Sequence, residues 1–198
     1  MARKSAGNVF LNCPFDDEYI EIRNALIFAV FDCGFIPRCA LEDNDSGEVR
    51  FDKIQKIISE CRFGIHDISR TELDGDTDLP RFNMPLELGV FIGAKRYGDK
   101  TQKVKKSIIL DCEPYRYREF ISDISGQDIQ SHGNDPEQAI TRIRNWLNTS
   151  SGRRTIPGGR AVVQRWRQFE NDLSDMCAKI PIDIDELTYN DYANFISE

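Results

Sequence analysis

Short apolar segments with strand character alternate along this chain with segments of helical periodicity, and this alternation restricts the possible folds more than any other feature. The predicted strands cover residues 8–12, 35–41, 63–68 and 103–110. Helices are predicted between them at residues 19–33 and 51–61 and from an N-cap at Asn83, and a further helix starts at Asp135 and Pro136. Residues 125–132 predict either a loop or an edge strand. Alternation of this kind is typical of an α/β fold, in which an open, mostly parallel sheet carries helices on both faces.

The composition changes near residue 150 and predicts a chain of two parts. Residues 1–149 are the predicted α/β domain, and residues 150–198 are a predicted C-terminal helical extension that starts with a linker rich in serine and glycine. Helical spacing in residues 160–180 aligns the apolar side chains of Val162, Val163, Trp166, Phe169, Leu173 and Met176. Such a stripe belongs either to the core or to an interface with another subunit. The acidic residues 183–198 predict a short docked helix.

Length and charge restrict the function classes. A chain of 198 residues, 40% of them hydrophobic, is long enough for one full-sized core. The formal net charge of -7 argues against broad binding to nucleic acids or to anionic membranes, so small molecules and proteins are the expected partners. No apolar run reaches the length of about 18 residues that a membrane helix needs, and the N-terminus does not read as a signal peptide. We therefore expect a cytoplasmic protein with no membrane association and no direct nucleic-acid binding.

Several motifs that would define a cofactor are absent from the sequence. There is no G-x-x-x-x-G-K-[ST] sequence, and the first predicted strand leads into NCPFDD rather than into G-x-G-x-x-G. The six cysteines form no C-x-x-C pair and are expected to be reduced thiols. The two histidines, His66 and His132, do not lie at metal-ligand spacing. We expect neither a metal nor a resident cofactor.

The segment 79–96, LPRFNMPLELGVFIGAKR, contains a single acidic residue, Glu87. Apolar residues surround it at helical spacing and predict a helix that is buried on nearly all sides. A buried carboxylate must find hydrogen bonds, take up a proton or open onto a solvated cavity, and the last option makes Glu87 a catalytic candidate. Alternatively, Glu87 lies on an exposed edge and pairs with Arg81 or Lys95. Two glycines one helical turn apart predict the close approach of another backbone or of a ligand.

The carboxyl ends of parallel strands meet along one edge of a sheet, and ligands of open α/β sheets bind there. In this chain the edge is predicted to carry residues 12–16, 40–45, 67–70 and 111–114, with Glu87 beside them. The expected ligand contacts on the first and third strands are Asn12, Phe15, Asp16, Asp67 and Ser69.

Two adjacent polar residues end the third predicted strand and face opposite sides of the sheet. Asp67 either contacts a ligand or caps the turn that follows the strand, and the sequence does not decide between these roles. Strand alternation directs His66 away from the face of Asp67. We therefore expect His66 to be a structural histidine.

The sequence PLELGVFIGA, following a strand that ends at Asp67, resembles the nucleoside 2-deoxyribosyltransferase-like proteins, whose catalytic glutamate stands in a helix of E-L-G-x-A type. It is also similar to Toll/interleukin-1 receptor (TIR)-like domains, which place a glutamate on a helix beside a flavodoxin-like sheet and of which many bacterial members cleave NAD. The resemblance covers residues 8–147 in the order of elements, and at motif level only Asp67 and the helix of Glu87. The NCPFDD loop and the residues 80–83 depart from these families.

The resemblance implies a flavodoxin-like fold and cleavage of an N-glycosidic bond, with NAD or a nucleoside or nucleotide as the substrate and Glu87 as the catalytic carboxylate. A carboxylate beside C1′ can stabilise the positive charge that develops on the ribose or attack it. By the same resemblance, the ligand pocket includes Asn12, Phe15, Asp16 and Asp67. Arg81 and Asn83 either bind phosphate or ribose or only order the loop. In bacteria such a protein would fit an antiphage defence effector that depletes a nucleotide after assembly into a homo-oligomer.

A second class of function also fits the sequence. A nucleotide-sensing or protein-interaction module would keep the fold and the pocket without the chemistry. The lone acid in the helix of Glu87 favours catalysis, whereas the apolar stripe in residues 160–180 and the unusual first loop favour binding or assembly. The expected partners are a small nucleotide, a second copy of the chain and a protein activator.

Overall fold

Five parallel strands form one open sheet in the computed structural model, which describes residues 7–71, 73 and 78–197. The strands are β1 (Asn8–Asn12), β2 (Ile36–Arg38), β3 (Phe63–Asp67), β4 (Lys106–Asp111) and β5 (Ile129–Ser131). Their order is β2-β1-β3-β4-β5 and every neighbouring pair is parallel. This order is that of a flavodoxin-like fold, so the predicted fold class is confirmed.

Six α-helices surround the sheet in the described part of the chain. They are α1 (Ile20–Asp32), α2 (Arg50–Glu60), α3 (Asn83–Tyr97), α4 (Pro136–Ser151), α5 (Gly159–Lys179) and α6 (Tyr189–Ser197). Helices α2 and α3 pack on one face of the sheet, against Phe10 of β1 and Ile109 of β4. Helices α1 and α4 pack on the other face, against Leu11 and Ile65. None of the described helices is long and apolar enough to cross a membrane.

The C-terminal extension packs on the outer side of α1 and α4. Val162, Trp166 and Leu173 of α5 and Tyr192 and Phe195 of α6 are buried in the same apolar cluster as α1. The apolar stripe of residues 160–180 therefore forms part of the core of this chain. The short docked helix predicted in the acidic tail is α6.

The position of α1 explains its composition. It lies between the sheet on one side and α5 and α6 on the other, and seven of its residues are buried: Ile22, Ala25, Leu26, Ile27, Phe28, Ala29 and Val30. A helix that is covered on both sides needs apolar residues around its circumference. Helix α1 is therefore mainly apolar because the C-terminal extension covers the side that faces away from the sheet.

The second strand is shorter in the structure than predicted, and the connection from β4 to β5 contains no α-helix. The second strand was predicted over residues 35–41, but β2 has three residues. It is an edge strand, where Pro37 can lie because its missing N–H faces no partner strand. Between β4 and β5 the chain forms two short 3-10 turns, Arg116–Glu119 and Ser122–Ile124, instead of a crossover α-helix.

A buried lysine joins the end of α2 to the start of β4. The Lys105 ammonium is 2% exposed and donates hydrogen bonds to the carbonyl oxygens of Ile58, at 2.5 Å, and of Cys61. It also lies 4.7 Å from the centre of the Phe91 ring. Lys105 thereby adds a charged donor to two buried carbonyl oxygens at the end of a helix, of which that of Ile58 also accepts the backbone N–H of Cys61.

We expect Lys105→Met to lower the free energy of unfolding by about 1–3 kcal/mol, because it removes a charged donor from two buried carbonyl oxygens. Lys103→Met is the matched control, since Lys103 is exposed. Urea denaturation of both variants measures the effect. Equal stability of the two variants would contradict the role given to Lys105.

Candidate functional site

Buried polar side chains gather at the carboxyl edge of the sheet, where the sequence predicts the ligand site. Asn12, Asp67, Asp111 and His132 follow or end four different strands, and each is at most 2% exposed. A polar group removed from water must be hydrogen-bonded or it destabilises the fold. The partners of these groups show which of them are free to contact a ligand.

Both oxygens of Asp67 are occupied by groups of the protein. Oδ1 accepts hydrogen bonds from the backbone N–H of Ser69, at 2.9 Å, and from the Ser69 hydroxyl. Oδ2 accepts from the Tyr19 hydroxyl at 2.5 Å and lies 3.0 Å from Nε2 of His132. Although burial alone would raise the pKa of Asp67, the donors His132, Ser69 and Tyr19 hold it below its ordinary value. Asp67 therefore caps the turn after β3 and ties three loops together.

The arrangement of Ser69, His132 and Asp67 is not that of a catalytic triad. Nδ1 of His132 accepts the backbone N–H of Asn134 at 3.1 Å, which leaves the proton of a neutral ring on Nε2. Both Asp67 and Ser69 approach that same Nε2, each at 3.0 Å. In a triad the acid and the hydroxyl contact different ring nitrogens, so this cluster does not activate Ser69 as a nucleophile.

Asn12 links the end of β1 to the beginning of α3. Its Nδ2 donates to the carbonyl oxygen of Met84 at 2.8 Å and lies 3.1 Å from Nδ1 of His66. His66 packs between the rings of Phe10 and Phe91 on the α3 face of the sheet, away from the face of Asp67, as strand alternation predicts. Burial and the charge of Lys105 lower the pKa of His66 to about 3, so it stays neutral. Its Nε2 has no hydrogen-bond partner among the described residues, so only one of its two ring nitrogens is bonded.

A buried ion pair closes the end of β4. Arg116 donates through Nε and a terminal nitrogen to Oδ1 of Asp111, at 2.9 and 2.7 Å, and also to the carbonyl oxygens of Ile68 and Ser69. Burial nevertheless raises the pKa of Asp111 above its ordinary value. Oδ2 of Asp111 has no hydrogen-bond partner in the part of the chain that the structure describes. This pair fixes the loop after β3 to the loop after β4.

Glu87 differs from the other acids at this edge. It is half-buried in the second turn of α3, and it forms no hydrogen bond or ion pair within the described residues, including Arg81 and Lys95. Burial raises the pKa of Glu87 to about 7, and the positive charge of Arg50 at the start of α2 acts in the opposite direction. Its negative charge is felt by Cys13, the residue after β1. Glu87 is thus an unpaired carboxyl group beside the carboxyl end of β1.

Helix α3 is less buried than its sequence predicts. Only Met84, Leu88 and Phe91 are buried, whereas Leu86 is 55% exposed. The prediction of burial on nearly all sides was therefore wrong: the mainly apolar composition of α3 reflects an uncovered face rather than a second packing partner. The helix also starts one residue earlier than predicted, since Phe82 is the N-cap and Asn83 is the first helical residue.

The two glycines predicted to allow close approach, Gly89 and Gly93, lie on this uncovered face. A Cβ atom added at either position would meet no atom within 4 Å. The close approach of another part of the described chain was therefore a wrong expectation for both.

The remaining predicted contacts lie around the edge at different depths. Phe15 is partly buried and packs on the main core, and Asp16 lies 3.4 Å from Arg70. Arg81 and Asn83 are exposed. The long loop between β3 and α3 lies partly outside the described residues, which omit 72 and 74–77.

A cavity of about 280 Å³ opens at this edge on the α1 face of the sheet. Glu18, Tyr19, Arg70 and Asn134 are among its lining residues, and Glu87 is not. Glu87 and this cavity therefore lie at the same edge but on different faces.

The sequence analysis missed several residues of the site. Tyr19, His132 and Arg116 belong to no sequence motif, and their roles depend on contacts over long chain distances. Arg50, the cation that acts on Glu87, belongs to a helix start that carried no motif. The one indirect signal for these residues was Asp67, because a buried aspartate at a strand end needs donors from neighbouring loops.

Cys13, the residue that follows β1, is buried and is not suited to act as a nucleophile. Burial and the nearby thiol and carboxylates raise its pKa well above the ordinary value, so it stays a protonated thiol. Among the residues that the structure describes, no group of three or more histidine, cysteine or acidic side chains is placed to hold a metal ion.

Comparison with known proteins gives no match: no family model, no curated protein and no solved structure is significantly similar to this chain.

The raised pKa of Glu87 predicts a pH-dependent stability. Between the ordinary value of 4.5 and about 7, the folded chain keeps a proton on Glu87 that the unfolded chain has lost. The stabilisation from this group is therefore complete below pH 4.5 and is lost as the pH rises to about 7. We expect Glu87→Gln to remove this part of the pH dependence in urea denaturation.

Glu119→Gln is the matched control, because Glu119 is exposed and the change of carboxyl to amide is the same. It should keep the wild-type pH dependence. Identical pH dependence of the wild type and Glu87→Gln would show that the Glu87 carboxyl titrates as an ordinary surface acid.

Proposed function

We propose that this protein cleaves an N-glycosidic bond of a nucleotide, with Glu87 as the catalytic carboxylate and NAD as the first candidate substrate. The observation that supports the proposal is the unpaired, half-buried state of Glu87 at the carboxyl edge of the sheet. The fold would hold such a group without a partner at a cost in stability, and groups of this kind cluster at functional sites. Depletion of the nucleotide in bacterial antiphage defence is the corresponding cellular role.

The chemistry needs one well-placed carboxylate. As the C1′–N bond breaks, the ribose gains positive charge, and the ionised Glu87 stabilises it or attacks C1′ to form a covalent intermediate that water then hydrolyses. Nicotinamide leaves NAD as a neutral base and needs no proton. The cationic nicotinamide ring of NAD beside Glu87 would also lower the pKa of Glu87 and favour its reactive, ionised form.

The predicted substrate contacts divide into two groups by their surroundings. Asn12, Asp67 and Ser69 are held by hydrogen bonds within the protein, so they position the strand ends and α3. Arg81 and Asn83 are exposed beside the start of α3, where a phosphate or ribose hydroxyl can reach them.

Three further groups at this edge complete the proposed site. Arg50 adds a positive charge on the side of Glu87 and suits a nucleotide phosphate. Phe15 and Asp16 lie in the loop after β1 and would border the ribose or the base.

The proposal is tested by product analysis with NAD and a pool of nucleosides and nucleotides, using mass spectrometry to detect free base. The wild type should release a base, and Glu87→Gln should be slower by about 10²-fold or more, because it lacks the charge that stabilises the transition state. Glu119→Gln should match the wild type. Full activity of a folded Glu87→Gln protein would refute the assignment.

The alternative is a non-catalytic sensing or interaction module, and the uncovered face of α3 favours it. Phe82, Leu86 and Tyr97 are 59%, 55% and 87% exposed and recur on one side of the helix together with Gly89 and Gly93. Exposed apolar patches of this kind often mark protein interfaces. For the expected homo-oligomer, this face is the surface that we propose.

We expect the wild type to dimerise in light scattering at high protein concentration and Leu86→Glu to be a monomer, because a charge would then be buried at the contact. Val104→Glu is the matched control, since Val104 is 52% exposed outside α3. A monomeric wild type, or a dimer that Leu86→Glu leaves intact, would contradict this surface.

A further inference from the structure

A groove lies between α4 and α5, separate from the site of Glu87. Its volume is about 790 Å³. The two helices run antiparallel, since Arg167 pairs with Glu137 while Gly159 lies beside Thr141. The groove follows two turns of each helix, a length of about 10 Å at the usual helical rise.

Three arginines line the groove, and the acids present do not neutralise all of them. Arg167 pairs with Glu137. Asp135 caps α4, where its oxygens accept the backbone N–H groups of residues 137 and 138 and the side chain of Gln138. Arg142 makes a single hydrogen bond, of 3.3 Å, to the carbonyl oxygen of Ser131, and Arg160 makes none within the described residues. The groove therefore carries three cationic and two acidic side chains, and within the described residues neither Arg142 nor Arg160 pairs with an acid.

The charge distribution along the chain gives independent support. The protein carries a net charge of -7, but residues 136–169 contain only one acid, Glu137. The same residues include the arginines Arg142, Arg144, Arg153, Arg154, Arg160, Arg165 and Arg167.

Three of these arginines have structural roles. Arg144 bonds to carbonyl oxygens of the linker, Arg153 to that of Gly34, and Arg165 to Asp32. The arginines that line the groove have no comparable contact with the core. Of these, Arg142 and Arg160 are available to bind an anion.

The lining of the groove indicates the class of ligand. Besides the charged residues it contains the neutral hydrogen-bonding side chains of Gln138, Asn145 and Gln164, and no aromatic ring. Guanidinium groups bind phosphate oxygens in a two-pronged geometry, whereas base recognition relies on stacking against aromatic side chains. The groove is thus suited to recognise phosphates and not a base.

We propose that the groove between α4 and α5 binds a small polyphosphate, through Arg142 and Arg160, as a second ligand site of this protein. The first turn of α5 adds backbone N–H groups beside Arg160, because its N-cap Gly158 has no side chain to accept their hydrogen bonds. The site lies on the α1 and α4 side of the sheet, and Glu87 lies on the α3 side. The proposal does not rest on the catalytic role of Glu87.

Calorimetric titration with inorganic tripolyphosphate tests the site directly. The wild type should bind at low ionic strength with an affinity that falls as salt is added. The double variant Arg142→Gln/Arg160→Gln should lose at least about tenfold in affinity, because it removes both charge-assisted contacts. Arg154→Gln is the matched control, since Arg154 is exposed in the same segment but does not line the groove, and it should bind like the wild type.

A nucleoside triphosphate should compete with tripolyphosphate at similar affinity, because the groove contacts only phosphates. Absence of saturable binding by the wild type would overturn the proposal, as would an equal loss in Arg154→Gln, which would indicate unspecific attraction. A single-stranded oligonucleotide that binds far more tightly than tripolyphosphate, through the same two arginines, would also overturn it and would identify a nucleic-acid site.

Discussion

The buried carboxylate of Asp67 is the interaction on which the carboxyl edge of this sheet depends. An ionised acid that is removed from water must be compensated by donors at fixed positions. Here those donors come from the turn after β3, from Tyr19 ahead of α1 and from His132 after β5. A single charge therefore sets the relative positions of three loops that lie far apart in sequence.

A second buried polar side chain, Asn12, fixes the position of Glu87. The amide of Asn12 holds the carbonyl of Met84, which ties the first turn of α3 to the end of β1. Glu87 follows less than one turn later and is held near Cys13 without a donor of its own. Asp67 and Glu87 differ in this respect: donors lower the pKa of Asp67, whereas burial without a donor raises the pKa of Glu87. In the proposed function, Asp67 is a structural acid and Glu87 is the reactive one.

The fold was largely predictable from the sequence because its signals are local. Asp135 does cap α4, as the Asp-Pro pair predicts, and the strands of β1 and β3 start and end within a residue of their predicted limits. The burial of α3 was not predictable, because an apolar helix gives no sign of whether a partner covers it. The sequence of α5 likewise did not show what covers its apolar stripe, and in the structure the stripe packs in the same apolar cluster as α1.

The candidate site was predictable only in part, for a related reason. Glu87 and Asp67 stand out in the sequence by their apolar surroundings and their place at a strand end. The groups that decide their roles, Tyr19, His132 and Arg50, are ordinary residues in loops and helix starts, and their importance arises from contacts across the sheet. Pattern analysis identifies the acids, whereas folding determines which acid is paired.

The central claim is that Glu87 is an unpaired carboxyl group at a ligand-accessible position, and its own titration tests this most directly. Carbon-detected nuclear magnetic resonance of the side-chain carboxyl groups, with Glu87→Gln to assign the signal, gives its pKa with and without NAD. We expect a midpoint of about 7 and a downward shift when NAD places its cationic nicotinamide ring beside the carboxylate. A midpoint at the ordinary value of 4.5 that NAD leaves unchanged would contradict it.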